Sequence, residues 1–322
     1  MSNLDPAPTE ATCGGRSDVA TAPVRELLIG RDVVLGGPRG LTVTRTLPHR
    51  DRRMVGAWCF VDHYGPEDIG SGGPGGMRVP PHPHIGLQTV SWLVRGEVLH
   101  RDSLGSEQLI RPGQLNLMTA GVGISHAEES PADRTPILHG AQLWVALPAG
   151  ERAVAPAFAH HGDLPVVARD GLTVTVLMGT LEDATSPART YTPLVGAEVL
   201  IGGDGGTLAL RPDFEYAVLA FEDGPVVDGE PVPAGGLVYL GTGRTELPLT
   251  GAGRTLVLGG EPFEEQIVMW WNFVGRSHDD IVAARADWEA GRGFGTVTGF
   301  DGAPLHAPEL PTTPLKPRGR TR

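Results

Sequence analysis

From about residue 24 onward the chain falls into short apolar or alternating runs, each ended by a Gly, Pro or Asp turn at roughly 8–12-residue intervals, the signature of a sandwich or barrel. In Val90-Ser91-Trp92-Leu93-Val94 the alternate residues Val90, Trp92 and Val94 share one face of a strand. With 46 glycines, 29 prolines and 40% hydrophobic residues, the composition suits a turn-rich all-β protein better than a disordered one. The 322 residues amount to one large domain or two ordinary ones.

The strand candidates form two series, before and after residue 162, that look like weak internal repeats. Arg111-Pro112-Gly113-Gln114-Leu115 resembles Pro233-Ala234-Gly235-Gly236-Leu237, and aligning Gly113 with Gly235 sets the halves about one small β-barrel apart. The expected organisation is a disordered leader over 1–23, a first barrel over 24–155, a second over 166–300 and an extended proline-rich tail over 301–322. His160-His161, between Pro156 and Pro165, reads as a linker between barrels. One helix is expected near the end. Ser277 is its N-cap with Asp280 three residues on, Ile281, Ala284 and Trp288 share a face, and Gly291 stops it.

A net charge of −12 and a pI near 5.3 argue against a nucleic-acid-binding surface. The one basic cluster, Lys316, Arg318, Arg320 and Arg322, reads as solvated tail charge. No apolar run approaches the ~20 residues a membrane span needs, and the N-terminus lacks a basic region followed by an apolar stretch. Cys13 lies in the leader, and Cys59, within Ala57-Trp58-Cys59-Phe60-Val61, reads as a buried thiol. The pair offers no disulfide framework, so a reducing, cytoplasmic setting is expected.

Chemistry concentrates in two short pairs, His82-Pro83-His84 and His126-Ala127-Glu128. Residues i and i+2 of a strand point to the same face, so each pair aims two ligand atoms at one point. The prolines of Val79-Pro80-Pro81-His82-Pro83-His84 bias that stretch toward extended backbone. Three imidazoles and a carboxylate suit a divalent transition metal such as iron, nickel, copper, manganese or zinc. Nine of the histidines precede residue 162 and none lies between 162 and 277, so a histidine-held metal belongs to the first half. On a continuous strand from His82, Gln88 falls on the same face and enters the pocket, with Trp92 a further lining candidate. His63 reads as structural, and His100 and His139 have no ligand partner at metal spacing.

Histidine pairs meeting inside a barrel resemble the cupin arrangement, with Pro112-Gly113 as a shortened middle element. More closely, the chain resembles the pirin family of bicupins. The resemblance rests on Phe60-Val-Asp-His63-Tyr-Gly-Pro66, Pro81-His-Pro-His-Ile-Gly86, His100-Arg-Asp-Ser103-Leu-Gly105, Met118-Thr-Ala-Gly121-Val-Gly123-Ile-Ser-His126-Ala-Glu128 and Gln142-Leu-Trp144-Val. Pirin-like proteins commonly carry arginine after the second histidine and glutamate four residues past it. This chain has Ile85 and Gln88, which alters the local charge above the metal. The resemblance implies two tandem cupin-type jelly-roll barrels with a short C-terminal helix. It implies one metal on His82, His84, His126 and Glu128 in the first barrel and none in the second. It also implies one of two activities. The first is a quercetin 2,3-dioxygenase-like cleavage of a flavonol or related enol or phenol with O2, with Glu128 as ligand and proton acceptor. The second is a redox-sensitive regulator acting through protein partners. Neither involves a membrane.

Overall fold

In a computed structural model that describes residues 24–35, 41–71 and 76–321, the chain is a set of antiparallel strands with one helix, His278–Glu289. The leader expected over 1–23, with Cys13, lies outside the described residues. In the first half a seven-stranded sheet runs in the order 157–161, 115–119, 87–95, 137–146, 58–68, 41–47, 31–35. A four-stranded sheet, ordered 78–84, 124–129, 98–102, 107–110, packs on it around Val43, Tyr64, Val79, Leu93, Ile110 and Leu138. The second half repeats the plan with an eight-stranded sheet and a four-stranded one enclosing a separate apolar core. Each half is thus a two-sheet jelly roll, the cupin-type arrangement expected. Gly113 and Gly235, which align the repeats, both hold positive φ, at 82° and 72°.

The two large sheets pack on each other through a single continuous core. Trp58, Trp92 and Val90 from the first half lie in one cluster with Leu177, Leu219 and Leu256 from the second. Trp58 is fully buried, and its indole N–H is shared between the carbonyls of Val195 (3.1 Å) and Gly259 (3.2 Å). A Cβ at Gly196 would stand 2.9 Å from that ring, so the close approach of the sheets needs glycine there. Glu215, fully buried, accepts from Gly56 N (2.6 Å) and Tyr239 Oη (2.7 Å), and it pairs with Arg320 (2.7 Å).

Three segments serve a different place from the one the sequence suggested. Glu26–Leu28 pairs with Leu237–Gly241, inside the second half's large sheet. Ala157–His161 is no linker but an edge strand on Leu115–Thr119, with Phe158 stacked on His100, 4.4 Å between centroids. The chain beyond Val268 returns to the first half. Its hairpin, 268–275, bridges Phe273 to Ile85, and the tail bonds Leu305 N to Pro81 O. The helix has the expected capping box between Ser277 and Asp280, and it buries Ile281 and Ala284. The tail is extended but pinned. Ala307 and Leu315 are buried, and Arg320 is an ion-pair partner, not a solvated charge. Local sequence cannot reveal these contacts, since each joins residues far apart in the chain.

Removing the Glu215 carboxylate leaves the Gly56 amide and the Tyr239 hydroxyl without their acceptor and takes from Arg320 its buried partner. Glu215→Ala is expected to cost about 3 kcal/mol or more, read as a lower urea midpoint in one cooperative transition shared by both halves.

Candidate metal centre

Strand 78–84 lies at the edge of its sheet, where Pro80, Pro81 and Pro83 cost few ladder bonds. It pairs with 124–129 so that His82 stands opposite His126 and His84 opposite Ile124. His82, His84 and His126 are buried to within 1% exposure, and one nitrogen from each lies within 4.8 Å of the others. Their ring centroids are 4.3–5.0 Å apart.

Backbone and side-chain partners set the tautomers. Pro80 O takes the Nδ1–H of His82 (2.8 Å), and Asn272 O takes the Nδ1–H of His84 (2.9 Å). Asp102 accepts the Nε2–H of His100 (3.1 Å). That leaves His100 Nδ1 as an acceptor for the Nδ1–H of His126 at 3.3 Å. Each of the three clustered rings therefore carries its proton on Nδ1 and a bare lone pair on Nε2. His82 Nε2 has no hydrogen-bond partner, and His84 Nε2 faces His126 Nε2 at 3.1 Å. A proton shared across that gap would make one ring an imidazolium, which burial opposes. Desolvation lowers His84 to about 3 and holds His82 and His126 well below the ordinary histidine value. Three neutral imidazoles with converging lone pairs fit a divalent cation.

Glu128, 2% exposed, shares the inward face of its strand with His126. Its carboxylate groups within 4.8 Å with nitrogens of His126 and His100, so it stands on the His126 side of the cluster. Ser91 Oγ lies 3.4 Å from Glu128 Oε1 and 2.9 Å from Gln142 Oε1. His100 was not expected near the centre. The same two-residue spacing that singled out the other pairs is present in His100-Arg101-Asp102, whose strand places Asp102 opposite His126 and His100 opposite Glu128. The wall beside His84 is aromatic. Trp144 meets it edge-on at 5.2 Å, and Phe60 stacks on Trp144 at 4.0 Å under the Arg45 guanidinium.

Gln88 and Trp92 do not enter this pocket. Gln88 Nε2 donates to Thr119 Oγ1 (3.0 Å) and to Arg189 O (3.2 Å), on the side facing the second half. Trp92 Nε1 donates to Glu198 there (2.8 Å). The reason is Gly86, at φ 68°, where the run is not one strand but two strands in two sheets. The turn also lets the hairpin approach, since a Cβ at Gly86 would sit 2.1 Å from Val274 O. Beyond it the parity reverses, and Ser91 replaces Gln88 as the polar residue facing Glu128. His63 and His139 form a separate buried pair, Nε2 to Nε2 3.0 Å, against Phe221 of the second half.

Comparison with known proteins agrees with this picture. The pirin family model matches residues 40–145, and the model for the pirin C-terminal cupin domain matches 201–295. A Pseudomonas aeruginosa protein provisionally named a quercetin 2,3-dioxygenase is 51% identical over 87% of this chain and 89% of its own length. A pirin-like protein of Caulobacter vibrioides is 37% identical over 78% of this chain and 88% of its own. A crystal structure named quercetin 2,3-dioxygenase, from Acinetobacter baumannii, superposes with a TM-score of 0.85 at 45% identity, covering 90% of this chain and 96% of that one.

Because the rings are held neutral by burial, protons should compete poorly for them. Metal affinity is expected to stay nearly flat from about pH 7 to about pH 5.5, where solvent-exposed histidines would already be protonating. Competition with a chromophoric chelator measures this. Asp102→Asn, which weakens the hold on the His100 and His126 tautomers, should lower affinity about 10- to 100-fold in the same assay.

Proposed function

The chain belongs to the pirin family of bicupins, and on that premise we propose that it is a metal-dependent dioxygenase that opens a flavonol or a related enol or phenol with O2. The observation that carries this reading is the convergence of three buried Nε2 lone pairs beside a buried carboxylate. His82, His84, His126 and Glu128 would hold the ion, with iron(II) the first to test and nickel, manganese, copper, cobalt and zinc the alternatives that the donor set accepts. When bound, the ion supplies Lewis acidity toward an enolic or phenolic hydroxyl and a reaction partner for dioxygen.

The protein's own residues account for the rest. Glu128 Oε1 accepts the proton of the substrate hydroxyl, and Ser91 Oγ, beside it at 3.4 Å, orients that carboxylate. Trp144, backed by Phe60 stacked parallel to it at 13°, is the aromatic ring beside His84 and would meet a planar aromatic substrate. The nearly complete burial of the histidines keeps bulk water from the reacting groups. Cys59, buried and unpaired, fits the reducing cytoplasm in which an iron(II) enzyme would work.

Oxygen uptake with quercetin by iron(II)-loaded protein tests the proposal, with turnover expected and ring-opened product formed in step with O2 consumed. Glu128→Gln should lower kcat about a hundredfold at whatever metal occupancy it retains. Full occupancy without oxygen uptake from quercetin or simpler enols and phenols would sink the enzyme reading and favour a regulatory protein acting through partners.

A further inference from the structure

The returning tail encloses a cavity of about 140 Å³ that contains none of the clustered histidines. Its floor is Met54, Cys59, Ile267, Met269 and Trp270, and Pro311 and Leu315 of the tail cover it. Met54, Cys59 and Trp270 are buried, while Pro311 and Lys316 are exposed and mark the way to solvent. Three cationic residues line it, Arg53, Lys316 and Arg318, and no carboxylate does among the described lining residues. Arg53 and Arg318 also have partners within the protein, Arg53 donating to the carbonyls of Gly319 (3.5 Å) and Thr321 (3.4 Å), and Lys316 is the exposed cation at the mouth. Two of these three cations belong to the basic tail cluster, whose charges otherwise have no role in the metal centre.

The volume is close to the ~150 Å³ of a dry cavity that holds benzene. Two thioethers and an indole favour the edge and face of an aromatic ring over a flexible aliphatic chain. Cys59 serves as wall, not as nucleophile. Burial pushes its thiol up to about 12, and its S–H points to Trp144 O at 3.6 Å.

We propose that this cavity binds a monocyclic aromatic carboxylate, with the ring among Met54, Met269 and Trp270 and the carboxylate directed to Lys316 at the mouth, in the positive field of Arg53 and Arg318. The inference rests on neither the metal centre nor the oxygenase reading, and its test reads binding alone.

Equilibrium dialysis of metal-loaded, full-length protein against radiolabelled benzoate should show one saturable site per chain. Benzamide, the neutral analogue, and hexanoate, an aliphatic anion, should compete more weakly than unlabelled benzoate. Lys316 is exposed, so Lys316→Glu should leave the fold intact. It should weaken benzoate roughly fivefold to tenfold by replacing an attraction with a repulsion, while benzamide binding stays unchanged. In crystals soaked with 4-bromobenzoate, an anomalous bromine peak among Met54, Met269 and Trp270 would support the assignment. Absence of saturable binding, hexanoate competing as well as benzoate, indifference of benzoate to Lys316→Glu, or a bromine peak at the histidine cluster would each overturn it.

Discussion

The contact between the two large sheets governs the orientation of side chains in the first half. One face of the seven-stranded sheet is buried against the second half through Trp58, Val90, Trp92 and Val61. Its other face, carrying Phe60, Ser91, Gln142 and Trp144, is then left for the barrel interior. Side chains alternate along a strand, and a bulge between Trp58 and Phe60, where the pairing steps from Val145–Trp58 to Trp144–Phe60, sends these two to opposite faces. The polar anchors at the contact are few and fully used. Trp58 spends its single N–H on two carbonyls, and Glu215 collects an amide, a phenol and a guanidinium. Buried polar groups satisfied in this way stabilise one register of the two sheets over its neighbours.

The candidate metal centre depends on that contact indirectly. The four-stranded sheet brings His82, His84 and His126 together, but their protonation is arranged from outside it. Asn272, in the hairpin that returns after the second half, accepts from His84, while Asp102 acts on His126 through His100. The second half holds no comparable cluster among its described residues, yet the chain must pass through it to place Asn272. Burial does the remaining work by opposing protonation, so the lone pairs stay available in the pH range where exposed histidines would lose them. The same hairpin lends Met269 and Trp270 to the floor of the cavity at Met54, so one stretch of chain contributes to two separate features of the first barrel.

Much of the architecture was readable from local pattern. The strand runs, the repeat marked by Gly113 and Gly235, and the Ser277–Asp280 cap all follow from interactions within a few residues, and the structure contains them. Three readings failed where a long-range partner decided the matter. His160-His161 looked like a linker because nothing nearby shows that Leu115–Thr119 needs an edge partner. Arg320 looked solvated because Glu215 lies far off in sequence. His100 looked isolated because its neighbours His126 and Glu128 meet it across a sheet.

What the sequence determined by itself was the set of ligand types and their pairing, since the sharing of a face by His82 with His84, and by His126 with Glu128, is a local property of extended backbone. Which residues join them was decided only by the tertiary structure. Gln88 has the right spacing on paper, but one left-handed residue, Gly86, splits the run between two sheets and turns Gln88 toward the second barrel. Parity along a strand is set locally, whereas the direction each face points depends on what the sheet packs against, and that information lies more than a hundred residues away.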